Sequence, residues 1–192
     1  MIVKILEEHG IDSALRGMSY SYRDRAEEVE GWWEGKRQRA YERMSKLAHM
    51  DGGHNKSLES IVVWIDIDAC RGWWSQFDTY RSGITKQSDS TMHTLSKREP
   101  VAADFEEGTD PRMIELFIQL WNENKKDVTK LKDNLPEGYL QRRVICTNYK
   151  TLRNIIAQRR GHRLKYWDMF CDSILRQVEH PEDLVQGEQQ CK

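Results

Sequence analysis

Between Glu137 and Asp168 the chain carries no acidic residue, yet Arg142, Arg143, Lys150, Arg153, Arg159, Arg160, Arg163 and Lys165 all fall there. A field of eight cations can neutralise the phosphates of a nucleotide or of a nucleic-acid backbone, because a guanidinium offers paired, planar N–H groups to an oxyanion. Acids elsewhere in the fold, those of residues 24–34 among them, can also pair with this run and leave it an ordinary solvated surface. A second polar stretch, QFDTYRSGITKQSDSTMH at 76–93, sets Thr79, Ser82, Thr85, Ser88 and Ser90 beside Arg81, Lys86 and His93. It reads as a solvated loop that holds the donors of a phosphate or cofactor loop. Other chemistry has little support. The six histidines show no metal-ligand spacing, so no metal is expected, and neither a nucleophile elbow nor a phosphate-binding glycine loop is present, which disfavours a hydrolase. Cys70, Cys146, Cys171 and Cys191 form no CxxC pair and are too sparse for a disulfide framework, as suits reduced thiols.

These groups must be positioned by a chain of 192 residues, a length that fits one domain, here 1–181, with a polar tail over 182–192. Lys plus Arg (30) balance Asp plus Glu (31), so no net field recruits nucleic acid or membrane and local clustering decides. MIVKILEEHG lacks the layout of a leader, and no apolar run approaches the ~20 residues that span a bilayer. A soluble, cytoplasmic protein is expected.

MIVKILEEH reads as a short strand and SIVVWIDID as a buried one. The spacing of Val29, Trp33, Ala40, Met44 and Leu47 predicts a long amphipathic helix over 23–50, and DGGHN then makes a tight connection that carries His54. Cys70 to Arg81 reads as a helix with Trp73, Trp74 and Phe77 inward. Asp110 and Pro111 open a helix of roughly 111–131, and LPEGYLQRRVICTN turns into a strand. Tyr149 to Arg160 and His162 to Glu179 read as the last helices, the second stopped by His180-Pro181. At ~100° per residue, Lys150 and Asn154 share a face while Leu152, Ile155 and Ile156 point inward, with Asn148 as N-cap and Arg159 away from Lys150. The expected class is α+β: a small central antiparallel or mixed sheet flanked by long helices.

At this point the residues resemble the flavin-dependent (alternative) thymidylate synthases. In QFDTYRSGITKQSDSTMH, Gln76 matches that family's Gln, Arg81 the last Arg of its Arg-His-Arg triplet, and Ser90 the second Ser of its loop, with one residue inserted. GGHNKSLESIVVWIDI is similar to the family's stretch of small residue, His, short helix and strand, which maps His54 onto the histidine near the flavin. NYKTLRNIIAQR matches the family helix in register at Asn148, Lys150, Leu152, Asn154 and Arg159; Leu135-Pro136 precedes it, and Lys132 falls where the family has a substrate-binding Arg. The similarity runs from about 50 to 175. Thr79, Tyr80, Ser88, Met92 and His93 depart from the family's Arg, His, Glu, Arg and Tyr.

The resemblance implies a homotetramer that holds FAD beside a pyrimidine deoxynucleotide. It also implies transfer of a one-carbon unit from methylenetetrahydrofolate to C5, with NADPH as reductant and no enzymic nucleophile on the base. By the same carry-over His54, Arg81, Asn148, Lys150 and Asn154 contact flavin. Gln76, Ser90, Lys132 and Arg159 hold the nucleotide, and Ser90 and Arg159 are the catalytic candidates. The alternative is the same fold with flavin chemistry lost, acting as a nucleotide- or nucleic-acid-binding oligomer.

Overall fold

The computed structural model describes residues 1–22, 33, 35–50 and 53–185. Four strands, β1 (Ile2–His9), β2 (Val62–Cys70), β3 (Thr85–Ser88) and β4 (Leu140–Asn148), form one antiparallel sheet in the order β1-β2-β4-β3. The expected strands in MIVKILEEH, SIVVWIDID and LPEGYLQRRVICTN are present. In β2 the two-residue period is explicit: Val63, Ile65, Ile67 and Ala69 are fully buried, whereas Val62, Trp64, Asp66 and Asp68 are half-buried. β3 falls where a loop was expected. Its residues, TKQS, are mostly exposed, and as an edge strand with two wet faces it shows no alternation in sequence.

The chain divides into two compact, interleaved units. The first holds 1–3, 66–81 and 86–145. It includes α3 (Arg71–Phe77), α4 (Thr91–Thr94), α5 (Pro111–Glu123) and α6 (Val128–Asp133), and one of its cores joins Leu95, Phe105, Phe117, Trp121, Leu131 and Leu135. Phe105 meets Phe117 and Tyr139 edge-on at 6.1 and 5.5 Å, and Trp121 donates its indole N–H to the Leu95 carbonyl at 2.6 Å. α3 ends at Phe77, short of the expected Arg81, and packs Trp73, Trp74 and Phe77 into a buried aromatic set with centroids 4.9–5.5 Å apart. The single helix expected over 111–131 is two helices. Asp110 and Pro111 start α5 as anticipated, the Asp110 carboxylate accepting from Arg112 N at 2.9 Å. The Asn124 side chain then donates to the Leu120 carbonyl, and Asp127 caps a new helix by accepting from Lys130 N, so the chain turns between two caps.

The second unit holds 4–65, 82–85 and 146–192. Its helices are α1 (Ile11–Ser19), α2 (Arg37–Ala48), α7 (Tyr149–Arg159) and α8 (Tyr166–Gln177). α1 was not anticipated. It packs on α2 and on a 3-10 turn at Lys56–Ser60, and Gly10 is required before it: φ is +99°, and a Cβ there would stand 2.3 Å from the Ser60 carbonyl oxygen. The helix expected over 23–50 is seen from Arg37 to Ala48, with Ala40 and Met44 buried; residues 23–32 and 34 lie outside the described residues. α7 packs against the 3-10 turn and α8, burying Leu152, Ile155, Ile156, Trp167, Phe170 and Ile174. α8 starts at Tyr166, later than the expected His162, because Gly161 and His162 form the turn out of α7. No described helix is long and apolar enough to cross a membrane.

Candidate functional site

In the second unit the candidate residues gather around the junction of β4 and α7. Burial of Leu152, Ile155 and Ile156 fixes the roll of α7, which leaves Lys150 half-exposed and Asn154 exposed, as their spacing predicts. Asn148 is the N-cap: its Oδ1 accepts from Thr151 N at 2.9 Å. The helix is pinned further by Tyr149, which is fully buried. Its amide donates to the Ile61 carbonyl at 3.0 Å, and its hydroxyl donates to Glu8 and accepts from His180 N. Burial and the bond to Glu8 push the Tyr149 phenol far above its usual range, so it stays protonated.

A short loop closes on this junction. Thr147 Oγ1 donates to the Gly83 carbonyl at 3.0 Å, and Gly83 has φ +71°. A Cβ at this position would stand 2.4 Å from Thr151 Oγ1 and 3.1 Å from Asn148 Nδ2. The loop backbone therefore fills the space beside the helix start that any other residue would block. Lys150 Nζ reaches Glu59 Oε1 at 2.5 Å, tying α7 to the 3-10 turn. Both partners are partly exposed, so the pair contributes at most about 1 kcal/mol and can be exchanged for a ligand oxyanion.

His54 is exposed in the turn before that 3-10 segment and lines a cavity of about 380 Å³ with Ser13, Gly17, Lys56, Ser57 and Ser60. Ser57 is buried and its hydroxyl has no hydrogen-bond partner among the described residues, which marks a donor that a ligand can satisfy. At the other end of α7, Arg159 lies with its guanidinium 4.6 Å above the Trp167 ring. His162 Nδ1 accepts from Leu164 N at 3.1 Å, so Nε2 holds the proton in the neutral ring. The 3.4 Å approach of Arg159 Nη1 to that Nε2 then brings two donors together, while the guanidinium lies over the Trp167 face.

In the first unit, Gln76 is half-buried in the last turn of α3 and Arg81 is exposed in the turn that follows. Ser90 is the N-cap of α4; its carbonyl accepts from His93 N and Thr94 N, and its exposed hydroxyl makes no cap bond. Lys132 is half-buried in α6, which packs against α4 and so brings the Ser90 and Lys132 elements together. Nearby Asp78 is a structural anchor that sequence reasoning missed. Burial pushes its carboxyl up, but hydrogen bonds from Lys86 (2.7 Å) and Arg143 (3.1 Å) outweigh this and hold its pKa below the usual value. Arg143 also stacks 4.3 Å over Trp74.

A cleft of the first unit, about 590 Å³, is lined by none of the predicted site residues. Asp68, Asp89, Arg98, Tyr139 and Arg142 line it, and burial raises the Asp68 and Asp89 carboxyls. Arg98 is committed to Asp104 and Arg142 to Asp66, each through two nitrogens. Cys70 and Cys171 are no ready nucleophiles: burial pushes the Cys70 thiol up and the Cys171 thiol up to about 12.

No protein-family model matches the chain, and no curated protein matches it in sequence. Its fold does match solved structures. The chain superposes on the flavin-dependent thymidylate synthase ThyX from Helicobacter pylori, complexed with FAD and dUMP, with a TM-score of 0.79 at 17% identity, over 96% of this chain and 98% of that one. A second structure of Thymidylate Synthase X from Helicobacter pylori, with FAD and dUMP, gives a TM-score of 0.79 at 15% identity, over 95% and 96% of the two chains. The protein has the flavin-dependent thymidylate synthase fold.

Proposed function

We propose that this protein is a divergent flavin-dependent enzyme that transfers a one-carbon unit from methylenetetrahydrofolate to C5 of a pyrimidine deoxynucleotide, dUMP or a related base. The observation that carries the reading is the match of nearly the whole chain to a fold solved with FAD and dUMP; it is supported by the sequence resemblance of Asn148, Lys150, Asn154 and Arg159 to the family's helix, all four lying on or at the cap of α7. The proposal includes NADPH as reductant and a cytoplasmic homotetramer. Bound FAD, once reduced, would supply the hydride that completes the new methyl group.

The rest is work for the chain's own residues. His54, Lys56 and the orphaned Ser57 hydroxyl fit the polar edge of a flavin nucleotide, a cavity of about 380 Å³ being room for part of one. Asn148 Nδ2 and Lys150 Nζ add donors on the same helix, and Arg81 adds a cation. Asn154 is exposed and available to a flavin carbonyl. Arg159, whose guanidinium lies over the Trp167 ring, and Lys132 are the cations that the resemblance assigns to the nucleotide. Gln76 can pair with the base edge through its amide, and the Ser90 hydroxyl is free of any cap bond to orient the base.

A second reading keeps the fold and loses the flavin. Thr79, Tyr80 and Ser88 remove two donors and a carboxylate from the family loop, and Met92 in place of an Arg forfeits a charge-assisted bond of about 1.5–3 kcal/mol. The visible spectrum of the purified protein separates the two. An isoalloxazine band, native or after reconstitution with FAD, supports the enzyme. A colourless protein that binds dUMP and not FAD favours the binding module.

A further inference from the structure

Of the cations that run without an acid from Arg142 to Lys165, Arg153 is the buried one, with 3% of its surface exposed. Its Nε is sealed from solvent without a hydrogen-bond partner, and the guanidinium has neither an ion pair nor a hydrogen bond among the described residues. The residues one turn before it have acids of their own. Tyr149 meets Glu8 and Lys150 meets Glu59, and neither carboxylate pairs with Arg153. A guanidinium keeps its charge in any protein, so Arg153 cannot escape burial by losing a proton. A buried charge without a partner is among the costliest arrangements in a fold, and an anion from outside the described chain is what would offset it.

The helix sets Arg153 where such an anion can enter. At ~100° per residue it stands about 60° round α7 from Lys150 and about 60° from Ile156, on the border between the half-exposed Lys150 and the buried stripe. Ala157, one turn further along that border, is exposed and carries only a methyl group. We infer that Arg153 is an anion-binding residue of α7 and that it takes a phosphate oxyanion of the flavin nucleotide. The inference rests on the reading above that Lys150 and Asn154 bring α7 against FAD; the family resemblance itself assigns position 153 no role. A planar guanidinium matches two phosphate oxygens at once. With so little of its surface open in one chain, Arg153 suits a slim phosphate better than the broad face of another protein.

Titration and thermal melting of the whole protein, native and as Arg153→Met and Arg153→Lys, with FAD, riboflavin, dUMP and inorganic pyrophosphate test this. FAD is expected to bind about tenfold or more weakly to Arg153→Met, the loss of one charge-assisted contact, and Arg153→Lys to keep part of the affinity. Riboflavin, which has no phosphate, should bind all three alike. Without ligand, Arg153→Met should melt no lower than the native protein, because it removes an unpaired charge and keeps an apolar stem. Unchanged FAD affinity in Arg153→Met overturns the inference and leaves the flavin reading intact. Equal losses of FAD and riboflavin, with a lower melting point before any ligand is added, overturn it in favour of a structural role. Should Arg153→Met not fold, Arg153→Lys decides: native FAD affinity there overturns the inference, and a weakening seen with FAD but not riboflavin upholds it. A loss confined to dUMP overturns it by placing the oxyanion on the other nucleotide. Pyrophosphate binding that needs Arg153, in a protein that binds neither flavin, upholds the anion-binding role and sinks the flavin reading. No binding of any probe removes both.

Discussion

Single residues set the sharpest constraints. Gly83 has φ +71° and no room for a Cβ beside Thr151 and Asn148. Gly83→Ala is expected to cost about 1–3 kcal/mol, read as a lower urea midpoint. Asp183 is fully buried, and neither carboxylate oxygen has a hydrogen-bond partner within 3.5 Å among the described residues. Burial raises its pKa above the ordinary 3.8, against the pull of Ser45, His180 and His49. A carboxyl raised in the folded state favours folding below its unfolded pKa and loses that contribution as pH rises through the folded value. Asp183→Asn should therefore melt at a higher temperature than the native protein at pH 7, and the gap should close as pH falls towards 3.8. Melting curves from pH 4 to 8 check this, and a gap that widens in acid contradicts it. Neither residue was legible as special in the sequence. A lone Gly in SGIT reads as a generic turn, and the turn that holds Asp183 packs on α8 and on α2, the latter far away in the chain.

At the scale of elements, helix α7 was almost wholly legible: its cap, its inward residues and its outward Lys150 and Asn154 follow from spacing alone. Asn148→Ala should cost about 0.5–2 kcal/mol in stability, whereas Asn148→Asp keeps an acceptor for Thr151 N and should fold as well as the native chain. If the amide nitrogen meets flavin, both variants lose FAD affinity, so parallel melting and FAD titration separate the cap from the contact. Lys150→Ala should change stability by no more than about 1 kcal/mol, since the Glu59 pair is partly exposed, while FAD binding weakens. Other elements were less visible. α1 is nine residues between Gly10 and Tyr20 with Gly17 inside, too short and too broken to stand out, although Ile11, Leu15 and Met18 lie at helical spacing. β3 has no apolar face to betray it, and the break between α5 and α6 turns on two side-chain caps that a periodic apolar pattern conceals.

For the molecule as a whole, the α+β class and the strands β1, β2 and β4 were readable, because β2 carries a dense β-branched run and a turn at Pro136-Glu137-Gly138 leads into β4. The partners of the basic run were not. Asp66 and Asp78 lie some 65–76 positions away from Arg142 and Arg143, and only the sheet brings them into reach. The candidate residues likewise come from short motifs spread from His54 to Arg159, legible as residue types in order, whereas the contacts of Tyr149 with Glu8 and of Arg159 with Trp167 are tertiary. The fold is that of proteins solved with FAD and dUMP, and the central claim is that this chain uses both for chemistry at C5. Tritium release from dUMP labelled at C5, with FAD, NADPH and methylenetetrahydrofolate present, tests it most directly. The account predicts release that requires FAD and falls in Arg159→Ala; no release from dUMP or dCMP by protein that binds the nucleotide would contradict it.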